Sequence, residues 1–155
     1  MGNLERITTN YDEQEDRITL AGLTDKGQTV VLWLTMRLAS RLIKHCLGLL
    51  EKDNSGSGEV PKAKKDSRES IQNFVQKSAE EQTTQETAVE ITRNSPKHLI
   101  VAIDIKSVGT GVTLGFKEQF NTCYEIFLDS QQLRQWLGML HTIWPKTEWP
   151  TEIWP

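Results

Sequence analysis

Histidine, cysteine and carboxylate side chains are the usual material of metal sites and acid–base pairs, and in this chain they are scattered. His45 adjoins Cys46, whereas His98, Cys123 and His141 stand far apart along the 155 residues. Ligation of a metal wants such groups at helical or knuckle spacing, so no metal and no cofactor is expected. The run Asp12-Glu13-Gln14-Glu15-Asp16 gathers carboxylates. Consecutive acids ahead of a strand read as a solvated loop, without the dry pocket that raises one pKa above another. No GxSxG, HExxH or phosphate-binding glycine loop occurs, and Gly109 with Gly111 fits a tight turn. No catalytic residue is assigned, and the chain is expected not to be an enzyme.

Binding chemistry is better represented. Arg37, Arg41 and Lys44 share one side of a helical stretch, and Lys62, Lys64, Lys65 and Arg68 form a basic cluster further on. These cations suit phosphate. Glu59, Asp66 and Glu69 interrupt the cluster, however, and no aromatic residue interleaves for base stacking. With a formal net charge of -3 and a pI of about 5.7, the chain has no global positive field to gather nucleic acid. A nucleic-acid-associated role through Arg37, Arg41, Lys44, Lys62, Lys64 and Lys65 is therefore the second reading.

The first concerns the C-terminus. Ile143-Trp144-Pro145-Lys146-Thr147-Glu148-Trp149-Pro150-Thr151-Glu152-Ile153-Trp154-Pro155 holds three of the five tryptophans, each followed by proline. Proline removes an amide donor and biases the residue before it away from helix, so an extended tail is expected over 145–155. Trp144 fits the preceding helical stripe, which leaves Trp149 and Trp154 with large apolar surfaces and no periodic partner. Two fates follow. Either the tail folds back over its own domain, or Trp149, Ile153, Trp154 and the carboxylate of Pro155 anchor it in the groove of a protein partner.

The elements that position these groups are legible from periodicity. Arg17–Leu20 and Gln28–Leu34 read as a hairpin around the turn Thr24-Asp25-Lys26-Gly27. Thr35 then caps a helix whose apolar face is Leu38, Ala39, Leu42, Ile43, Cys46, Leu49 and Leu50. Leu99, Val101, Ile103 and Ile105 alternate as the inward side of a strand, Val112, Leu114 and Phe116 continue after a turn, and Cys123–Leu128 follows. Asp129 caps a second helix with Leu133, Trp136, Leu137, Leu140, Ile143 and Trp144 on its apolar face. Residues 86–92 are a further strand candidate. Between the halves, 51–87 is a polar insertion expected to be mobile, with a short helix over 67–82 built on Ile71, Phe74 and Val75 as an option.

Leu32-Trp33-Leu34-Thr35 matches Ile126-Phe127-Leu128-Asp129, and the helix stripes that follow match position by position. The expectation is a single α+β domain over 1–155: an antiparallel sheet of five to six strands built from two β-β-α units with two amphipathic helices, interrupted by the long polar insertion. The segment Val31-Leu32-Trp33-Leu34-Thr35-Met36-Arg37-Leu38 resembles one found in a family of small uncharacterised bacterial proteins with a strand, a Leu-Trp-Leu-Thr step and a helix. That resemblance covers about a fifth of the chain and implies no activity. A strand-rich head with helices is also similar, at the level of fold alone, to the head domains of double-strand-break repair scaffolds. Two cysteines in apolar segments fit a reducing compartment, and neither a signal-peptide core nor an apolar run of roughly 20 residues is present, so a cytoplasmic protein without a membrane span is expected. The function expected is a non-enzymatic protein–protein interaction module that offers a peptide-like tail or a sheet edge to a partner, with a homodimer left open.

Overall fold

The structure, a computed structural model, describes residues 2–54, 76, 88–120 and 122–155. Its order is β1 (Gly2–Asp12), β2 (Arg17–Thr24), β3 (Thr29–Leu34), α1 (Met36–Asn54), β4 (Lys97–Val108), β5 (Gly111–Glu118), β6 (Cys123–Leu128) and α2 (Ser130–Thr147). The same three strands and a helix occur twice. The expected units of two strands are therefore corrected to three, because β1 and β4 each precede a hairpin and pair with it. The strands close in the order β1-β2-β3-β4-β5-β6 into a barrel. Within each half the pairing is antiparallel, as expected; the halves join through parallel seams, β3 with β4 and β6 with β1. The sheet is thus mixed rather than wholly antiparallel.

Turn chemistry explains the hairpins. Gly27 sits at φ 78°, and the Thr24 hydroxyl accepts from the Gln28 amide at 3.1 Å. Gly109 at φ 59° turns β4 into β5. The acidic run closes β1 onto β2: one Asp12 carboxylate oxygen accepts the amides of Gln14 and Glu15, each at 3.1 Å, and Asp16 takes φ 54°. An Asx-type turn of this kind is what a short acidic side chain offers the backbone.

β1 escaped periodicity because a bulge breaks its phase. Leu4 pairs with Thr24 and Arg6 with Leu23, so Glu5 is the extra residue; Leu4 faces the core before the bulge and Ile7 after it. β4 carries the same irregularity at the same point, between Ile100 and Ala102. This corrects the expected inward set. Ile100 is buried at 1% exposure, whereas Leu99 and Val101 are exposed at 39% and 51%; only Ile103 and Ile105, beyond the bulge, turn toward the core. Residues 88–92 form no strand.

Both helices begin where expected. The Asp129 carboxylate accepts the Gln132 amide at 2.8 Å while the Gln132 side chain accepts the Asp129 amide at 3.0 Å, a complete capping box. The Thr35 hydroxyl is 3.4 Å from the Leu38 amide, a looser cap. Ala39, Leu42, Ile43, Cys46 and Leu50 on α1, and Leu133, Trp136, Leu137, Leu140 and Trp144 on α2, enter one core with the inner faces of the strands. The packing is reciprocal: α1 lies against β2 and the second half's β4, and α2 against β5, β6 and the first half's β1. α1 runs to Asn54, past the expected start of the insertion at 51. The rest of the insertion, with the optional helix over 67–82, lies outside the described residues apart from Gln76, whose amide donates to the Arg134 carbonyl at 2.6 Å. Among the described residues no helix is long and apolar enough to cross a membrane.

Leu42 and Leu137 occupy matching places on the two helix faces, and both are buried at 2%. Leu42→Ala and Leu137→Ala should each lower unfolding free energy by about 2–5 kcal/mol in urea titration. A loss below about 0.5 kcal/mol at either position would contradict the shared core.

Candidate interaction surfaces

The tail was expected to leave the helix at Pro145, but α2 continues through this proline to Thr147 and ends at Glu148, in the left-handed region at φ 58°. The reason is the residue before it. Burying an indole removes roughly 150–250 Å² from water, worth roughly 4–6 kcal/mol at about 25 cal/mol per Å², against about 3 kcal/mol for an internal proline. Trp144 is exposed at 1%.

Beyond the helix the chain folds back. The Thr147 hydroxyl donates to the Trp144 carbonyl at 2.6 Å and accepts the Trp149 amide at 3.0 Å. The Trp144 indole N–H donates to the Pro150 carbonyl at 3.0 Å, and that of Trp149 donates to Asp16 Oδ1 at 2.9 Å. The Tyr11 hydroxyl donates to the same Asp16 oxygen. Edge-to-face contacts link Trp144 with Trp149 at 5.1 Å, Trp144 with Trp154 at 5.7 Å, Trp149 with Tyr11 at 5.7 Å and Trp154 with His141 at 4.9 Å. Each such pair adds about 0.5–1.5 kcal/mol to the burial. Of the four expected partner anchors, Trp149 is buried at 7%, Ile153 and Trp154 are half-buried against the core, and Pro155 is exposed. The tail thus fastens α2 to the β1–β2 hairpin.

Arg37, Arg41 and Lys44 are exposed on one stripe of α1; Lys62, Lys64 and Lys65 lie outside the described residues. The structure adds two cations that sequence order conceals: Arg17 and Lys97 lie over the Trp33 ring, 5.4 and 6.0 Å from its centre.

A second group invisible in the sequence spans three strands. His98 Nδ1 is 2.9 Å from Glu118 Oε2, and the Tyr124 hydroxyl is 3.2 Å from His98 Nε2. The hydrogen bond from His98, with others from Thr122 and the Phe120 backbone, holds the Glu118 carboxyl below the usual range. When the imidazole is neutral and an ionised Glu118 accepts from Nδ1–H, Nε2 is left to accept the phenol proton. Burial and the Glu118 charge push the Tyr124 phenol up. The phenol therefore stays protonated at neutral pH, and the trio bonds β4, β5 and β6 together without generating a nucleophile. Burial likewise pushes the Cys46 thiol up to about 12, so this cysteine is a neutral core side chain. Among the described residues no group of three or more His, Cys, Asp or Glu side chains could hold a metal ion.

The remaining feature is an edge. β4 pairs with β5 from Ile100 to Val108, but with β3 only over Lys97–Leu99. From Ile100 onward its other edge has no strand neighbour among the described residues. The matching strand, β1, meets β6 only at Gly2 and Asn3, yet it is dressed by other elements. The Thr8 hydroxyl accepts the Val89 amide at 2.9 Å, Thr9 accepts the Trp136 indole N–H at 2.8 Å, and Tyr11 packs on Trp149. β4 meets α1, but Val101 and Val108 on it are each 51% exposed. Compared with family models, curated proteins and solved structures, the chain matches none.

Trp149→Ala should lower unfolding free energy by roughly 3–5 kcal/mol, measured by denaturant titration, with indole emission already blue-shifted in the native protein. The hydrogen bond to Asp16 raises the Tyr11 phenol from 10.0 to about 12. The folded chain keeps that proton after the unfolded chain has lost it, so the contribution is complete below pH 10, declines as pH rises and is gone above about pH 12. In a phenolate absorbance titration, Tyr11→Phe should abolish a late-titrating phenol.

Proposed function

We propose that this chain is a non-enzymatic protein–protein interaction module that offers to an extended segment of a partner the edge of β4 that has no strand neighbour among the described residues. The observation that carries the reading is the contrast between two matching strands. β1 is bonded by Val89 and α2 and packed by the tryptophan tail, while β4 meets α1 but, on the side away from β5, has no strand neighbour from Ile100 to Val108 among the described residues. An unpaired edge presents a row of amides and carbonyls that a partner strand can complete, with side-chain pockets adding specificity. Val101 and Val108 supply exposed apolar surface beside that row.

The tail takes a supporting part in this reading, because its tryptophans spend their surface on Tyr11, His141 and one another. A second reading, contact with nucleic acid, is favoured by the exposed stripe of Arg37, Arg41 and Lys44. Aliphatic Val101 and Val108 offer a nucleic acid no stacking face, which sets this reading behind the first.

Val101→Lys combined with Val108→Lys blunts the edge in the way natural edge strands are protected. The variant should keep the wild-type melting curve, since both side chains are half-exposed, and should lose the proteins that wild type retains on an affinity column. Retention of the same proteins by the variant would remove the edge from consideration. Capture that weakens steeply with salt and disappears after nuclease treatment would move the assignment to nucleic acid.

A further inference from the structure

The stretch of β4 without a second strand neighbour among the described residues carries a charge pattern that selects its occupant. Asp104 and Lys106 are exposed and stand two residues apart with Ile105 between them. They share the outer face with Gly115 and Thr113, their register partners on β5, whereas Ile105 turns toward the core with Leu114. Strands that protect an edge from self-association commonly bear charged residues, lysine above all; from Ile100 to Val108 this one bears one charge of each sign.

Two copies of β4 related by a two-fold axis run antiparallel, and residues directly opposite must share a face. That requirement limits the axis to passing through a residue. With the axis at Ile105, Asp104 of each copy lies opposite Lys106 of the other, and the two Ile105 side chains meet on the inner face. Ala102 and Val108, both exposed, pair at each end of the ladder. An axis at Asp104 sets two carboxylates against each other, and one at Lys106 sets two ammonium groups together. Moving it to Ile103 or Ser107 leaves both charges without an opposite partner. Only the register centred on Ile105 satisfies both. Lys117 already bonds Asp104 Oδ2 at 2.6 Å, which leaves Oδ1 for the second copy.

We propose that the partner at the β4 edge is a second copy of this chain, joined antiparallel about Ile105 into one sheet continuous across the dimer. This rests on the reading of β4 as a docking edge and commits it to self-pairing. Such an interface is isologous: each Asp104–Lys106 pair occurs twice, so a single substitution acts at two places.

Charge exchange on the full chain tests it, with sedimentation velocity as the readout and far-ultraviolet circular dichroism melting as the control for folding. Wild type should sediment at twice the chain mass of 17.7 kDa. Lys106→Asp, and separately Asp104→Lys, set like charges opposite one another and should weaken dimerisation by about tenfold or more. The double exchange, Asp104→Lys with Lys106→Asp, restores opposite signs and should recover most of the wild-type affinity. Lys106→Asp is the cleaner single variant, because Asp104→Lys also faces Lys117. A wild-type chain that stays monomeric, or a dimer indifferent to these exchanges, overturns the proposal. Failure of the parent reading is distinguishable. If wild type is monomeric but the Val101→Lys, Val108→Lys variant still loses its captured proteins, the edge stands and self-pairing falls; if capture is also unaffected, both fall.

Discussion

Everything in this fold depends on each half burying the other's helix. A three-strand meander followed by an amphipathic helix leaves one apolar sheet face and one apolar stripe, and α1 and α2 resolve this by reaching across to β4 and β1. The parallel seams that close the barrel are slight, since β3 meets β4 over three residues and β6 meets β1 over two. Side-chain burial, rather than ladder hydrogen bonding, therefore holds the halves together. The bulges at Glu5 and Val101 belong to the same solution, because each shifts the inward phase of a long strand partway along its length.

The two halves diverge where they face outward. Ala21 and Val31, in register on β2 and β3, are buried, and nearby Val89 and Ser95 bond Thr8 and Thr29. The corresponding pair in the second half is Gly115 with Glu125, in register between β5 and β6. An apolar pair calls for a cover and a glycine–glutamate pair does not. The same divergence marks the long strands: Tyr11 and Asp16 at the far end of β1 hold the tryptophan tail, while the far end of β4 holds exposed Val108. Among the described residues, one long strand is bonded along its far part by other elements, and the other has no second strand neighbour there.

Much of this was readable in the residues. Thr35 and Asp129 before regular apolar stripes placed both helices, and the matching of Leu32–Thr35 with Ile126–Asp129 revealed the repeat. β1 was not readable, because a bulge displaces Leu4 from the phase of Ile7 and Tyr11 and polar residues fill the remainder. The same displacement made Leu99 and Val101 look inward. Local proline rules placed the helix end at 145, and the burial of Trp144 overrode them. His98, Glu118 and Tyr124 belong to three strands, so no spacing along the chain announces their contact. That β4 has no second strand neighbour beyond Leu99 among the described residues is a matter of topology: β3 turns into α1 after Leu34 while β4 runs on.

Asp16 shows how closely the dressed side is specified. It sits at positive φ in the β1–β2 turn, and one of its oxygens receives both the Tyr11 hydroxyl and the Trp149 indole N–H. A turn residue, a strand residue and a tail residue 133 positions away thereby converge on one atom. The arrangement answers why tryptophan and proline recur together in the tail. Tryptophan supplies a large apolar face with a single donor that must find an acceptor when buried, and proline removes competing amides from the chain that carries it. Trp144 finds the Pro150 carbonyl and Trp149 finds Asp16, while the buried Trp154 indole nitrogen has no hydrogen-bond partner among the described residues. The tail is therefore fastened most firmly at its first turn and least at its last residues, and the β1–β2 hairpin depends on the part held best.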